Sequence, residues 1–115
     1  MNTLLAPRKI TYPFPGLTRQ ILTSTVESSL VQHTMASGSI FPWHSHPHEQ
    51  TVFVIAGDLF IELKENGITK SFSANAGDSW VIAGDIPHRV TALSDARVLD
   101  FFTPCRQDYL GEEEK

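Results

Sequence analysis

Residues 38–57 read Gly38-Ser39-Ile40-Phe41-Pro42-Trp43-His44-Ser45-His46-Pro47-His48-Glu49-Gln50-Thr51-Val52-Phe53-Val54-Ile55-Ala56-Gly57, and three of the chain's five histidines fall within five positions of it. Side chains alternate along a strand, so on a strand His44 and His46 would point to one face. Two imidazoles side by side can offer neutral nitrogens to a divalent metal. Histidines also gather near turns without function, so the surroundings of the pair matter. Gly38 lies six positions before His44, Gln50 four after His46, and Gly57 seven after Gln50. A second spaced set follows in Gly77, Ala83, Asp85 and His88. Written out, the two are G-x5-H-x-H-x3-Q-x6-G and G-x5-A-x-D-x2-H.

Outward from this stretch the pattern is that of strands. Arg19 to Thr25 alternates and is rich in β-branched residues, as is Ser29 to Ala36. Thr51 to Ile55, Leu59 to Lys64, Ile68 to Phe72, the run ending at Ala83, His88 to Leu93 and Arg97 to Phe102 complete about eight short strands. Asn66-Gly67 between two of them is a strong hairpin signal, because the favoured two-residue turn needs φ > 0 at both positions. No window of helical length shows helical periodicity, and Arg106 to Leu110 has room for one turn. Strands at this spacing predict an all-β sandwich or barrel.

The size, 115 residues, is that of one domain. We expect an extended, proline-rich arm over 1–18, a barrel over 19–110 and an acidic tail over 111–115. The 9 Lys+Arg against 13 Asp+Glu give a formal charge of −4, without the basic excess that neutralises phosphates, so no nucleic-acid partner is expected. The longest apolar run, Val52 to Ala56, is far short of the ~20 residues of a membrane span, so no membrane partner is expected either. A single cysteine, Cys105, leaves no intramolecular disulfide and no CxxC zinc site. The opening residues lack the basic start and apolar stretch of a secretory signal, and the expectation is a soluble, cytoplasmic protein.

Two polar residues near the end stand out. Asp100 lies in the apolar run Val98 to Phe102, so it either pairs with Arg106 or Arg97 or faces a wet pocket as a carboxylate available for proton transfer. Arg106 is either a surface arginine or a guanidinium folded over a barrel mouth, able to clamp a carboxylate. His33 shares a face with Val31 and Met35 and reads as a barrel-wall residue before a substrate contact. His48 is expected outside any metal shell, and Cys105 to be inert. Trp43 and Trp80 are candidates for a pocket wall or the core.

The two spaced sets, over residues 38–92, resemble the paired motifs of the cupin superfamily. The resemblance implies a single cupin domain, a jelly-roll-like antiparallel β-barrel with one divalent transition metal in its mouth. Carried over position by position, the ligands would be His44, His46, Gln50 and His88. Nickel, iron, manganese, cobalt and zinc all suit three nitrogens and an amide oxygen. Three positions depart from the family pattern. Gln50 stands for the usual glutamate, with Glu49 beside it; Ala83 and Asp85 stand for a proline and a glycine; Ala92 stands for an asparagine. A glutamine leaves the ion's charge uncompensated by its ligands, which makes it a stronger Lewis acid but a less tightly held one. Glu49 is the alternative ligand, one residue off the spacing and facing the other way on a regular strand.

His44 to Gln50, taken with Val98 to Leu110, is similar to the pectin-degradation cupins called KdgF. Their ending runs D-x-F-x-P-x-R-x-D-[YF]-L, matched here by Asp100, Phe102, Pro104, Arg106, Asp108, Tyr109 and Leu110. This resemblance implies conversion of 4,5-unsaturated uronate monosaccharides, left by pectin or alginate lyases, into linear ketonised sugars. It implies a small anionic sugar as substrate and Asp100, Arg106 and Phe102 as pocket residues. In that reading Arg106 binds the carboxylate, Asp100 handles a proton and Phe102 walls the sugar. A homodimer paired through sheet edges fits the family habit. Three other readings stay open: an oxygen-using cupin dioxygenase, a non-catalytic sugar- or anion-binding cupin, and a barrel whose metal is structural only.

Overall fold

The computed structural model describes residues 10–111; the expected tail beyond Gly111 and the first nine residues of the expected arm lie outside these. Ten strands follow in chain order: β1 (Ile10–Thr11), β2 (Leu17–Ser24), β3 (Ser29–Met35), β4 (Ile40–His44), β5 (Glu49–Ala56), β6 (Asp58–Glu65), β7 (Ile68–Asn75), β8 (Ser79–Ile82), β9 (His88–Ala92) and β10 (Ala96–Thr103). One helical turn, α1 (Gln107–Leu110), closes the described chain within the stretch Arg106 to Leu110 that has room for it. The strands form two antiparallel sheets, ordered β1-β2-β3-β10-β5-β8 and β4-β9-β6-β7. The fold is an all-β jelly roll.

Each of the eight runs expected from alternation is a strand, and each strand's inward face is where its apolar residues recur. β3 buries Val31, His33 and Met35, and β10 buries Val98, Asp100 and Phe102, in step with the period of two. β6 and β7 pair from Asp58↔Asn75 to Glu65↔Ile68 across Asn66 (φ 52°) and Gly67 (φ 75°), the two-residue turn that the Asn-Gly pair predicts. Gly57, at the bend between β5 and β6, has φ 90°, and a Cβ there would lie 2.3 Å from the Asp95 carbonyl oxygen. Only glycine fits that crossing.

Two strands go beyond the expected eight. β1 is two residues long and pairs with β2 through Ile10↔Gln20 and Thr11↔Arg19, so part of the expected arm is strand and the barrel begins at the buried Leu17. β4 carries Pro42, which cannot donate to a ladder and sits here on a sheet edge. Its register against β9 shifts between Phe41↔Val90 and His44↔His88, which breaks the alternation that would reveal it. The expectation that His44 and His46 share a strand is corrected. β4 ends at His44 in one sheet and β5 begins at Glu49 in the other, so residues 45–48 must cross between sheets and His46 lies in that crossing.

The interior has two apolar clusters. The larger gathers Leu17, Met35, Val52, Val54, Leu59, Ile61, Ala92 and Val98 with their neighbours; the smaller gathers Ile21, Val31, Phe102 and Tyr109. Between them a line of buried polar side chains runs across the adjacent strands β2, β3, β10 and β5: Arg19, His33, Asp100 and Gln50. No described helix is long and apolar enough to cross a membrane.

Candidate metal centre

His44 and His88 face each other directly across the β4–β9 pair, with ring centroids 4.1 Å apart. His46 reaches them from the crossing loop. That loop is pinned to the turn before β9: the Asp85 N–H donates to the His46 carbonyl at 2.7 Å, and a Cβ at Gly84 would fall 2.4 Å from the Pro47 carbonyl oxygen. Asp85 stands where the resembling family has glycine, and it holds φ 66°, the left-handed region that favours glycine. Ligand atoms of His44, His46 and His88 lie within 4.8 Å of one another.

The hydrogen bonds fix which nitrogens these are. Nδ1 of His44 donates to the Pro42 carbonyl at 2.8 Å, Nδ1 of His46 to the His48 carbonyl at 3.1 Å, and Nδ1 of His88 to the Ile86 carbonyl at 2.8 Å. All three Nε2 atoms are thereby left as lone-pair donors, the arrangement that orients imidazoles for a metal. Burial, joined by the nearby Arg106 charge and neighbouring imidazoles, pushes His46 and His88 down to about 4 and lowers His44 as well. Three neutral imidazoles at neutral pH therefore face one point.

Two observations test whether a divalent cation fits. Nε2 of His88 is buried with no hydrogen-bond partner. Nε2 of His46 lies 3.0 Å from Oε1 of Gln50, and with the His46 proton on Nδ1 that contact brings two lone pairs together. A cation between them removes both mismatches, so the residues fit a metal held by His44, His46, His88 and the Gln50 amide oxygen. The amide orientation is set from behind, because Nε2 of Gln50 donates to Oδ1 of Asp100 at 2.7 Å. Glu49 is exposed and points away.

Asp100 pairs with neither Arg106 nor Arg97. It is buried, accepts from Gln50 on one oxygen, and accepts on the other from Nδ1 of His33 at 2.6 Å. His33, read as a wall residue, is the link to Arg19, whose Nε donates to its Nε2 at 3.0 Å. The Arg19 guanidinium lies 3.6 Å from the centroid of the Tyr109 ring, and that of Arg106 lies 3.8 Å from the same ring. Burial pushes the Tyr109 phenol up to about 12, so the ring between the guanidiniums stays neutral.

Arg106 is buried, not a surface arginine. Its Nε and Nη2 are held by Asp108 at 3.0 and 2.7 Å, while Nη1 is buried without a partner. The edge facing Asp108 is taken, and Nη1 is the donor of the guanidinium left unsatisfied. Phe102 differs from the sugar-wall reading. It is 1% exposed and lines neither the interior cavity nor the outer cleft; its ring lies edge-on to His46 at 5.6 Å and under Arg106 at 4.7 Å. It steadies both instead of meeting a ligand. The His48 side chain donates to the Cys105 carbonyl, tying the crossing loop to the chain before α1, and Cys105 is a buried free thiol. Trp80 packs against Phe72 in the core, and Trp43 is faced by Lys64 and Arg89.

Two spaces adjoin the imidazoles. Inside the barrel is a cavity of about 40 Å³ bordered by His33, Gln50, His88 and Asp100. Outside is a cleft of about 470 Å³ lined by Tyr12, Phe14, Arg19, His44, Arg106 and Tyr109, in the size range of small-molecule sites. His44, Phe41 and Tyr109 border both.

Sequence reasoning missed Arg19 and gave no role to Tyr109, which it had only matched to the C-terminal motif. The signal for Arg19 was its place between Leu17 and Ile21 on the face of β2 that points inward, where an arginine belongs only with a partner.

A family model described as a cupin domain matches residues 31–102. Among solved structures, an RmlC-like cupin from Shewanella frigidimarina is 26% identical, with TM-score 0.77, covering 90% of this chain and 89% of that one. KdgF from Halomonas sp. is 28% identical, with TM-score 0.76 and coverage of 87% and 89%. Oxalate decarboxylase from Bacillus subtilis shares the fold at 19% identity and TM-score 0.79, over 89% of this chain and 28% of that one. No curated protein sequence matches significantly.

Proposed function

The chain belongs to the cupin domain family, and from that premise we propose that it converts 4,5-unsaturated uronate monosaccharides into linear ketonised sugars. The observation that carries this reading is the buried Arg106, with Nη1 unpartnered, in a cleft that also holds Arg19 and reaches the imidazole cluster at His44. Two guanidiniums beside a metal-fitting site suit a small anion. The likeness to KdgF from Halomonas sp. and the matching D-x-F-x-P-x-R-x-D-Y-L ending support a uronate as that anion.

His44, His46, His88 and Gln50 would hold a divalent cation, which would supply positive charge to lower the pKa of a bound water and to orient the substrate's oxygens. Arg106 binds the carboxylate through Nη1, and Asp108 keeps the guanidinium from swinging. Asp100, a carboxylate that accepts from two donors behind the imidazoles, acts as the base of a water relay: it takes up a proton from the attacking water and returns it through water for delivery to C4, and the interior cavity of about 40 Å³ has room for a few molecules. The proton goes to C4 of the substrate and the oxygen of a water to C5. The proton of the new C5 hydroxyl then passes to the ring oxygen as the C5–O bond breaks, leaving a ketone at C5. Only water is consumed.

The test is turnover of an unsaturated galacturonate monomer by metal-loaded protein in D2O without oxygen, followed by proton NMR. The expected result is loss of the vinyl proton at C4 and one deuterium at that carbon. No change beyond the spontaneous rate, or a strict need for oxygen, overturns the reading.

A further inference from the structure

We infer that Gln50 and Asp100 form a polarity-matched pair, in which the negative charge that a carboxylate ligand would carry sits instead on Asp100. The inference rests on reading Gln50 as a metal ligand, and it explains why that ligand is an amide.

The polarity is set at the far end of the buried line. An arginine is a permanent donor with no acceptor. Nε of Arg19 donates to Nε2 of His33, so the proton of the neutral ring is on Nδ1. Nδ1 must then donate, and Oδ2 of Asp100 receives it at 2.6 Å. Oδ1 of Asp100, an acceptor, faces the side chain of residue 50 at 2.7 Å, so residue 50 must present a donor there. Glutamine has one, and its other atom, Oε1, is thereby aimed at the imidazoles. A glutamate would set two carboxylates face to face in a buried site, which is costly. The carboxylate is one hydrogen bond behind the ligand set, where it still offsets the ion's charge and also borders the interior cavity.

The two single variants then fail differently. Gln50→Glu brings like charges together whether or not metal is bound. Asp100→Asn keeps an acceptor for His33 but turns its N–H₂ toward Gln50, whose amide flips and points its own N–H₂ at the imidazoles. An amide nitrogen is not a ligand, so that variant folds and loses metal affinity. The double variant, Gln50→Glu with Asp100→Asn, restores every bond. The amide now at position 100 accepts from His33 and donates to the carboxylate now at position 50, whose second oxygen faces the imidazoles.

The experiment measures the melting temperature of metal-free protein at pH 8 and Zn²⁺ affinity by competition with a chromophoric chelator. Gln50→Glu should melt on the order of 5–10 °C below wild type, and the double variant within about 2 °C of it. Asp100→Asn should lose about tenfold or more in Zn²⁺ affinity, and the double variant should recover it. If Gln50→Glu does not fold, recovery of a folded double variant carries the same result. Overturning outcomes are a Gln50→Glu protein as stable as wild type, or a double variant that shows both defects. The melts involve neither metal nor substrate, so absence of uronate turnover leaves them standing, and failed rescue leaves turnover untouched.

Discussion

Val98 and Asp100 stand two residues apart on β10 and face the same interior, yet they enter different chemistry. Val98 joins the larger apolar cluster with Val52, Val54, Leu59 and Ile61. Asp100 joins a buried polar line that reaches from Arg19 to the imidazoles. At the apolar end, stability comes from area removed from water and does not depend on direction. In the polar line each donor has one acceptor, and a single wrong atom propagates to the next bond. The apolar end holds the barrel closed; the polar line decides which atom of Gln50 faces the imidazoles.

This contrast can be broken at either end. The largest effect is expected from His88→Leu, which replaces a buried imidazole whose Nε2 has no partner by an apolar side chain. Metal content of the purified protein and uronate turnover should fall to background, while the metal-free melting temperature holds or rises. Next is Ile61→Ala, a fully buried side chain in the apolar cluster. It should cost about 2–5 kcal/mol in urea unfolding, with the folded fraction still binding one metal. Arg106→Lys keeps the charge and loses the fork; kcat/KM should drop on the order of a hundredfold with metal content unchanged.

The smallest effect separates the regions by pH. His46 and His88 titrate at about 4 in the folded protein, against an ordinary 6.5. The unfolded chain therefore binds more protons in that window, so stability from the neutral imidazoles is complete above 6.5 and is lost as pH falls toward 4. Metal-free protein should melt lower at pH 5 than at pH 7, and His88→Leu should flatten part of that slope.

The legibility of the sequence follows the same division. Alternation and turn signals located β2, β3 and β5 to β10; in β2, β3, β6 and β10 one face is buried along the strand, whereas β7, exposed up to Ala74 apart from Phe72, was placed by the Asn66-Gly67 turn. Alternation failed at β4, where Pro42 and a register shift interrupt the period, and in the crossing that carries His46. The three candidate ligand histidines were singled out by motif spacing together with the cupin resemblance, and His44, His46 and His88 do converge although His46 lies past the strand end. The preference for Gln50 over Glu49 rested on motif spacing and facing; Gln50 is buried beside His46 and Glu49 is exposed. The partners of Asp100 were not readable, because His33 lies 67 residues away in the chain and meets it only when β3 pairs with β10. Arg19 was overlooked for the same reason: its alternation was visible, but its role depends on a strand pairing. Phe102 matched a motif, and the motif did not say that its ring lies behind His46.

In the proposed function the imidazole cluster and Arg106 together process an unsaturated uronate. The most direct measurement is the ultraviolet absorbance of such a monosaccharide over time, with protein, with protein plus chelator, and after metal is restored. The absorbance of the conjugated double bond should disappear with protein, persist with chelator, and disappear again on adding metal. Loss no faster than the spontaneous rate, in protein shown to hold its metal, would contradict it.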